Sequence, residues 1–129
     1  MGLDMTITKA WHVKRDPEKK WRYNYEIAPK FDFEIEHEVP DVDELYWRKF
    51  WDLHKEIWWH HSEDIDEDNL DNGVDIILTK EDMEEILYTA THTPDYFEKF
   101  QHLVELAYIL YYWDEYAAQG VKWIYNGDY

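Results

Sequence analysis

Three stretches near the start of the chain alternate apolar and polar side chains residue by residue. That pattern confines the fold to an antiparallel sheet with one oily face. Leu3, Met5 and Ile7 alternate with Asp4, Thr6 and Thr8, and the run continues to Trp11 and Val13 before Asp16-Pro17 marks a turn. Trp21, Tyr23, Tyr25 and Ile27 alternate with Arg22, Asn24 and Glu26, which predicts a second strand paired with the first as a hairpin. Past Pro29, Phe31, Phe33, Ile35 and His37 alternate with Asp32, Glu34, Glu36 and Glu38, a third strand with one wholly acidic face.

Helical spacing then takes over. Asp41 stands where a helix cap belongs, with Glu44 three residues on, and Tyr46, Phe50, Leu53 and Ile57 recur at helical intervals. Trp59 falls opposite that stripe and is the aromatic expected to be exposed, as interface anchors are. Residues 62–72 read as a loop that is acidic at Glu63, Asp64, Asp66, Glu67, Asp68 and Asp71 and lacks any Lys or Arg. Val74–Leu78 predicts a short strand, and Thr79 with Asp82 caps a second helix with Met83, Ile86, Leu87 and Ala90 inward. A third helix runs from Thr93-Pro94 through Phe97, Phe100, Leu103, Ala107, Leu110 and Tyr111 and stops near Gly120. Val121, Trp123 and Tyr125 make a last strand. The expected fold is α+β: an antiparallel, aromatic-rich sheet of four to five strands with three helices on one face, in a single domain over residues 1–129.

Charge decides which partners such a domain can take. Residues 1–30 carry seven Lys/Arg against four Asp/Glu, residues 31–129 six against twenty-six, and the whole chain is −17. A chain this acidic repels nucleic acid and is drawn to basic surfaces, above all to grooves that themselves hold DNA or RNA. Its 24 aromatic residues supply the burial that a disordered acidic chain lacks, so it is expected to fold. The chain has no cysteine, which excludes disulfides and thiolate metal sites and fits a reducing compartment. With no signal-like start and no apolar run of membrane-spanning length, it is expected to be cytoplasmic, in a host cell.

Met1-Gly2-Leu3-Asp4-Met5, the central Tyr46-Trp47-Arg48-Lys49 followed by His54, and an aromatic strand after a long helix together resemble a family of small phage and prophage proteins. Members of that family begin MGLDM, carry a YWRK segment and end in an aromatic strand. The resemblance implies a phage accessory protein. Where the family often carries an FGST-type segment, this chain has Tyr88–Tyr96 of different sequence.

The familiar chemical motifs are missing. Fitting Gly73 to the obligatory glycine of a calcium loop puts Leu70 at a ligand position and Thr79 where a bidentate Glu belongs. Glu56 and His60 are four apart, as helical metal ligands often are, and His54 and His61 seven apart, but neither pair has a third ligand in sequence. No glycine-rich phosphate loop or nucleophile elbow is present, and no catalytic residue, metal or cofactor is expected. Arg48 reads either as part of a surface charge row with Asp52 and Glu56 or as a buried ion pair.

The function expected is therefore binding. A phage-encoded acidic protein would inhibit a host nucleic-acid-handling defence factor, a restriction or CRISPR nuclease, by nucleic-acid mimicry or occlusion. Its contact residues would be Asp32, Glu34, Glu36, Glu38, Asp41, Asp43, Glu44, Trp59, Glu63, Asp64, Asp66, Glu67 and Asp68. Along a strand the first four project at intervals of about 6.6 Å, a spacing of the order of that between phosphates. The same charges also serve to keep a strand edge from pairing and the protein in solution. The alternatives are a small-ligand-binding protein or enzyme with an aromatic pocket around His54, Tyr46 and Trp58, and a structural phage protein.

Overall fold

The computed structural model describes residues 2–19, 21–30, 44–48, 50–61, 73–93 and 100–129. In chain order these form β1 (Asp4–Arg15), β2 (Tyr23–Ile27), β3 (Glu44–Arg48), α1 (Trp51–His61), β4 (Asp75–Ile77), α2 (Lys80–Thr91), α3 (Phe100–Tyr111), α4 (Trp113–Ala118) and β5 (Lys122–Asp128). Among the described residues the sheet has five antiparallel strands, in the order β2-β1-β5-β4 with β3 also on β1. The α+β architecture expected from the sequence is the one observed. The third strand expected over residues 31–38, Asp41, Asp43 and the acidic loop over 62–72 lie outside the described residues.

β1 is long enough to serve three neighbours. Its first half, Asp4 to Thr8, pairs with Arg48 to Glu44 of β3 on one edge, while Asp4 to Ala10 pair with Asp128 to Lys122 of β5 on the other. Its second half turns to β2, with Ala10 opposite Ile27 and Arg15 opposite Tyr23, so β2 and β3 share one edge of β1 end to end. A register shift between Trp11 and Lys14 accompanies this change of partner, and His12 there adopts φ 53°. The hairpin turn closes as its sequence predicts, with Asp16 Oδ1 accepting from the backbone N–H of Glu18 at 2.8 Å.

The register puts Met5, Ile7, Lys9, Leu45, Trp47, Ile76, Trp123, Tyr125 and Gly127 on one face. The helices cover that face: His54 of α1 lies against Tyr125, His102 of α3 against Trp47, and Tyr116 of α4 against Trp123. Leu53 and Ile57, Met83 and Ile86, and Leu103, Leu106 and Ile109 complete the core. Lys9 is in phase with Met5 and Ile7 and is as buried as they are, at 1% exposure.

Two helix expectations are corrected. Glu44–Arg48 is a strand, so Glu44 belongs to no capping pair and α1 begins only at Trp51. Leu45 and Trp47 alternate with Glu44, Tyr46 and Arg48, and pairing with β1 buries both apolar residues where a helix would have buried Tyr46 instead. The last helix is two: α3 ends at Tyr111 and α4 follows. Its buried side is Leu103, Leu106 and Ile109, while Ala107 and Tyr111 are exposed. With apolar residues nearly all round this helix, spacing alone does not fix its phase.

Two other caps form as read, while the helix start expected at Thr93-Pro94 runs into residues 94–99, outside the described residues. Thr79 Oγ1 accepts from Asp82 N at 3.1 Å and Asp82 Oδ2 from Thr79 N at 2.8 Å, a reciprocal capping box. At the end of α4, Gly120 N–H donates to Ala117 O and Val121 N–H to Tyr116 O, and Gly120 takes the φ of 81° that this closure requires.

Gly127 carries a different constraint. A Cβ there would press into the His54 imidazole and come within 2.7 Å of the Tyr125 hydroxyl, so only a glycine lets α1 settle on β5. Gly127→Ala is expected to cost about 1–3 kcal/mol through overpacking, and most of that cost should vanish in a His54→Ala background. Leu53→Ala should cost about 2–5 kcal/mol. Denaturant melts of the four variants measure both, and additive Gly127 and His54 costs would show that the two do not share space.

Candidate functional site

Of the residues expected to bind a partner, the described ones are Glu44 and Trp59. Glu44 is exposed at one end of β3, opposite Thr8. Trp59 is 78% exposed on α1, as its position opposite the buried stripe implies. Arg48 is a surface residue, its guanidinium 3.9 Å from Asp4 rather than buried. Asp75, at the end of the acidic run, is buried and structural. It accepts from Tyr23 N at 3.0 Å and from Asn126 Nδ2 at 2.7 Å, tying the hairpin to β4 and β5.

The aromatic pocket expected around His54 does not assemble. Tyr46 faces the other side of the sheet, where its hydroxyl donates to Asp4. That hydrogen bond, with smaller contributions from burial and the Asp4 charge and an opposing one from Arg48, raises the Tyr46 phenol above its ordinary range. The stabilisation linked to this phenol is therefore present below its ordinary range and is lost as pH rises through the raised value. His54 is 1% exposed, its Nδ1 2.5 Å from the Tyr125 hydroxyl and its ring edge-on to Trp51 and Tyr129. A side chain so enclosed serves packing.

The charge that the structure does assemble lies between α1 and α2. Lys80–Thr91 contributes Glu81, Asp82, Glu84 and Glu85, and a surface groove is lined by Glu56, Glu81, Glu84, Glu85 and Tyr88. Beside it runs a crevice with a floor of Leu53, Ile57 and Ile86 and a rim of Glu56, His60, Asp82 and Glu85. Helical periodicity makes this convergence: Glu56 and His60 are one turn apart on α1, as are Glu81 and Glu85 on α2. His60 Nε2 lies 2.9 Å from Glu85 Oε2, and His61 Nε2 lies 2.7 Å from Asp82 Oδ2. Thr89 Oγ1 donates to Glu56 Oε2 at 2.8 Å. Two histidine–carboxylate contacts and one hydroxyl contact thus join the helices outside their apolar seam.

Sequence reasoning found Trp59 and the Glu56–His60 pair but passed over the acids of α2. Four carboxylates within five residues, Glu81 to Glu85, were the available signal. No family model, curated protein or solved structure matches this chain.

Asp82 has two duties, capping α2 and holding His61. Thr79→Ala should cost about 0.5–2 kcal/mol, the value of a cap alone. Asp82→Ala should cost more, because it also removes the Asp82–His61 contact; equal losses in thermal melts would show that this contact contributes nothing.

Proposed function

We propose that this protein is an acidic binding protein that occupies the basic groove of a nucleic-acid-handling protein and acts by occlusion, without turnover. The observation that carries the reading is the groove lined by Glu56, Glu81, Glu84, Glu85 and Tyr88. In it four carboxylates and a 65% exposed tyrosine share one surface, with the exposed Trp59 three residues along α1 from Glu56. Carboxylates supply the steering field, and exposed aromatics supply the desolvated anchors that hold a complex once formed.

A helix rises about 1.5 Å per residue, so Glu81 and Glu84 or Glu85 succeed one another by about 4.5–6 Å along α2. A nucleic-acid strand in a duplex carries a phosphate about every 3.4 Å of axis. The two charge densities are of the same order, which suits a groove built for phosphates. The net charge of −17 extends the same field beyond the groove. The phage resemblance favours a host restriction or CRISPR nuclease as the partner class, in the host cytoplasm.

The test uses lysate proteins retained on immobilised DNA. Added at low salt, the protein should release a specific DNA-bound component, and the isolated complex should weaken steeply toward moderate salt, chiefly through slower association. Glu81→Lys with Glu84→Lys should weaken it at least tenfold with the fold intact, since both side chains are exposed. Release of nothing from the DNA, or a complex that keeps its affinity at several hundred millimolar salt, would sink the proposal.

A further inference from the structure

We infer that Glu56, His60 and Glu85 form a binding site for a divalent transition metal of the zinc class, bridging α1 and α2. Their donor atoms, two carboxylate oxygens and an imidazole nitrogen, all lie within 4.8 Å of one another. Among the described residues they are the group of three His and carboxylate donors that converges in this way. Glu56 and His60 come from successive turns of one helix and Glu85 from the facing helix, the arrangement by which a bundle builds a metal site. Sequence alone leaves the Glu56–His60 pair one ligand short, and the packing of α2 on α1 supplies the third.

Three features favour a metal over a mere accumulation of charge. One donor is an imidazole, which suits zinc, copper or nickel rather than calcium or magnesium. Glu56 is already oriented, since Thr89 Oγ1 donates to its Oε2 at 2.8 Å, the outer-shell contact that fixes ligating carboxylates. The donors stand on the rim of a crevice floored by Leu53, Ile57 and Ile86, so apolar side chains back the site on its inner side. Zinc–ligand distances of about 2.0–2.2 Å bring tetrahedral donors to within roughly 3.5 Å of one another. His60 Nε2 and Glu85 Oε2 are 2.9 Å apart, and the Glu56 donor lies within 4.8 Å of both. Three protein ligands leave a fourth position to water, the open type of site.

This inference shares Glu56 and Glu85 with the groove proposed above but concerns the free protein, so its test needs no partner. Calorimetric titration with Zn²⁺ should show one site per chain, at least tenfold tighter than the diffuse binding expected of so acidic a surface, with Mg²⁺ and Ca²⁺ failing to compete at equal concentration. His60→Ala and Glu85→Gln should each lose that class of site. Thr89→Ala should weaken it by about 10–100-fold, and Glu81→Gln, in the same groove but outside the donor set, should leave it unchanged. Co²⁺ as a probe should give visible absorption bands that vanish in His60→Ala, and Zn²⁺ should raise the melting midpoint of the parent and of Glu81→Gln but not of His60→Ala or Glu85→Gln. Circular dichroism of each variant separates loss of a ligand from loss of fold. Zn²⁺ binding of equal strength in the parent, His60→Ala and Glu85→Gln would overturn the inference, as would a parent that saturates only in the diffuse millimolar manner.

Discussion

The ladder around β1 is the interaction on which the rest of this structure depends. One strand of twelve residues supplies hydrogen bonds to β5 along one edge and to β3 and then β2 along the other. Each of these partners is distant in sequence except β2, so the hairpin is the local contact from which the sheet can grow and the other pairings close long loops. Because antiparallel partners share a face, the phase of Met5, Ile7 and Lys9 dictates which side of β3 and β5 turns inward. Trp47, Trp123 and Tyr125 are thereby gathered under the helices.

The helices take their positions from that face. His54 settles over Gly127 and meets the Tyr125 hydroxyl, and this fixes where α1 lies on the sheet. Histidine at such a place supplies both ring packing and a polar partner for a buried phenol, which an aliphatic residue would leave unsatisfied. His102 plays a related part on α3, with its ring against Trp47 and its Nε2 3.4 Å from the Tyr46 backbone N–H, covering an edge of β3. Once α1 is seated, α2 packs against it and carries its acids to the same surface.

That surface concentrates a tension. Glu56, Glu81, Asp82, Glu84 and Glu85 repel one another, and three of them find partners on the facing helix: Glu85 at His60, Asp82 at His61 and Glu56 at Thr89. The His60–Glu85 contact, about half exposed, contributes little to stability, whereas the His61–Asp82 contact is largely covered.

Much of the fold was legible because its signals are local. The strands over Leu3–Val13 and Tyr23–Ile27, the Asp16 turn, the Thr79–Asp82 box and the Gly120 closure depend on residues a few positions apart and form as their sequence dictates, although the apolar side of β2 stays exposed at Tyr25 and Ile27. Residues 44–48 were not decidable in this way. Tyr46 and Phe50 fit a helix stripe while Leu45 and Trp47 fit a strand, and only the free edge of β1, some forty residues away, decided for the strand. The same holds for the site. The sequence determined the acidity, the exposed Trp59 and the one-turn pairing of Glu56 with His60. The tertiary structure decided that Glu85 is their neighbour and that Tyr46 and His54 lie on opposite sides of the sheet. Side chains on one helix turn are related by its geometry alone, whereas contacts between elements exist only once the apolar faces have been buried together.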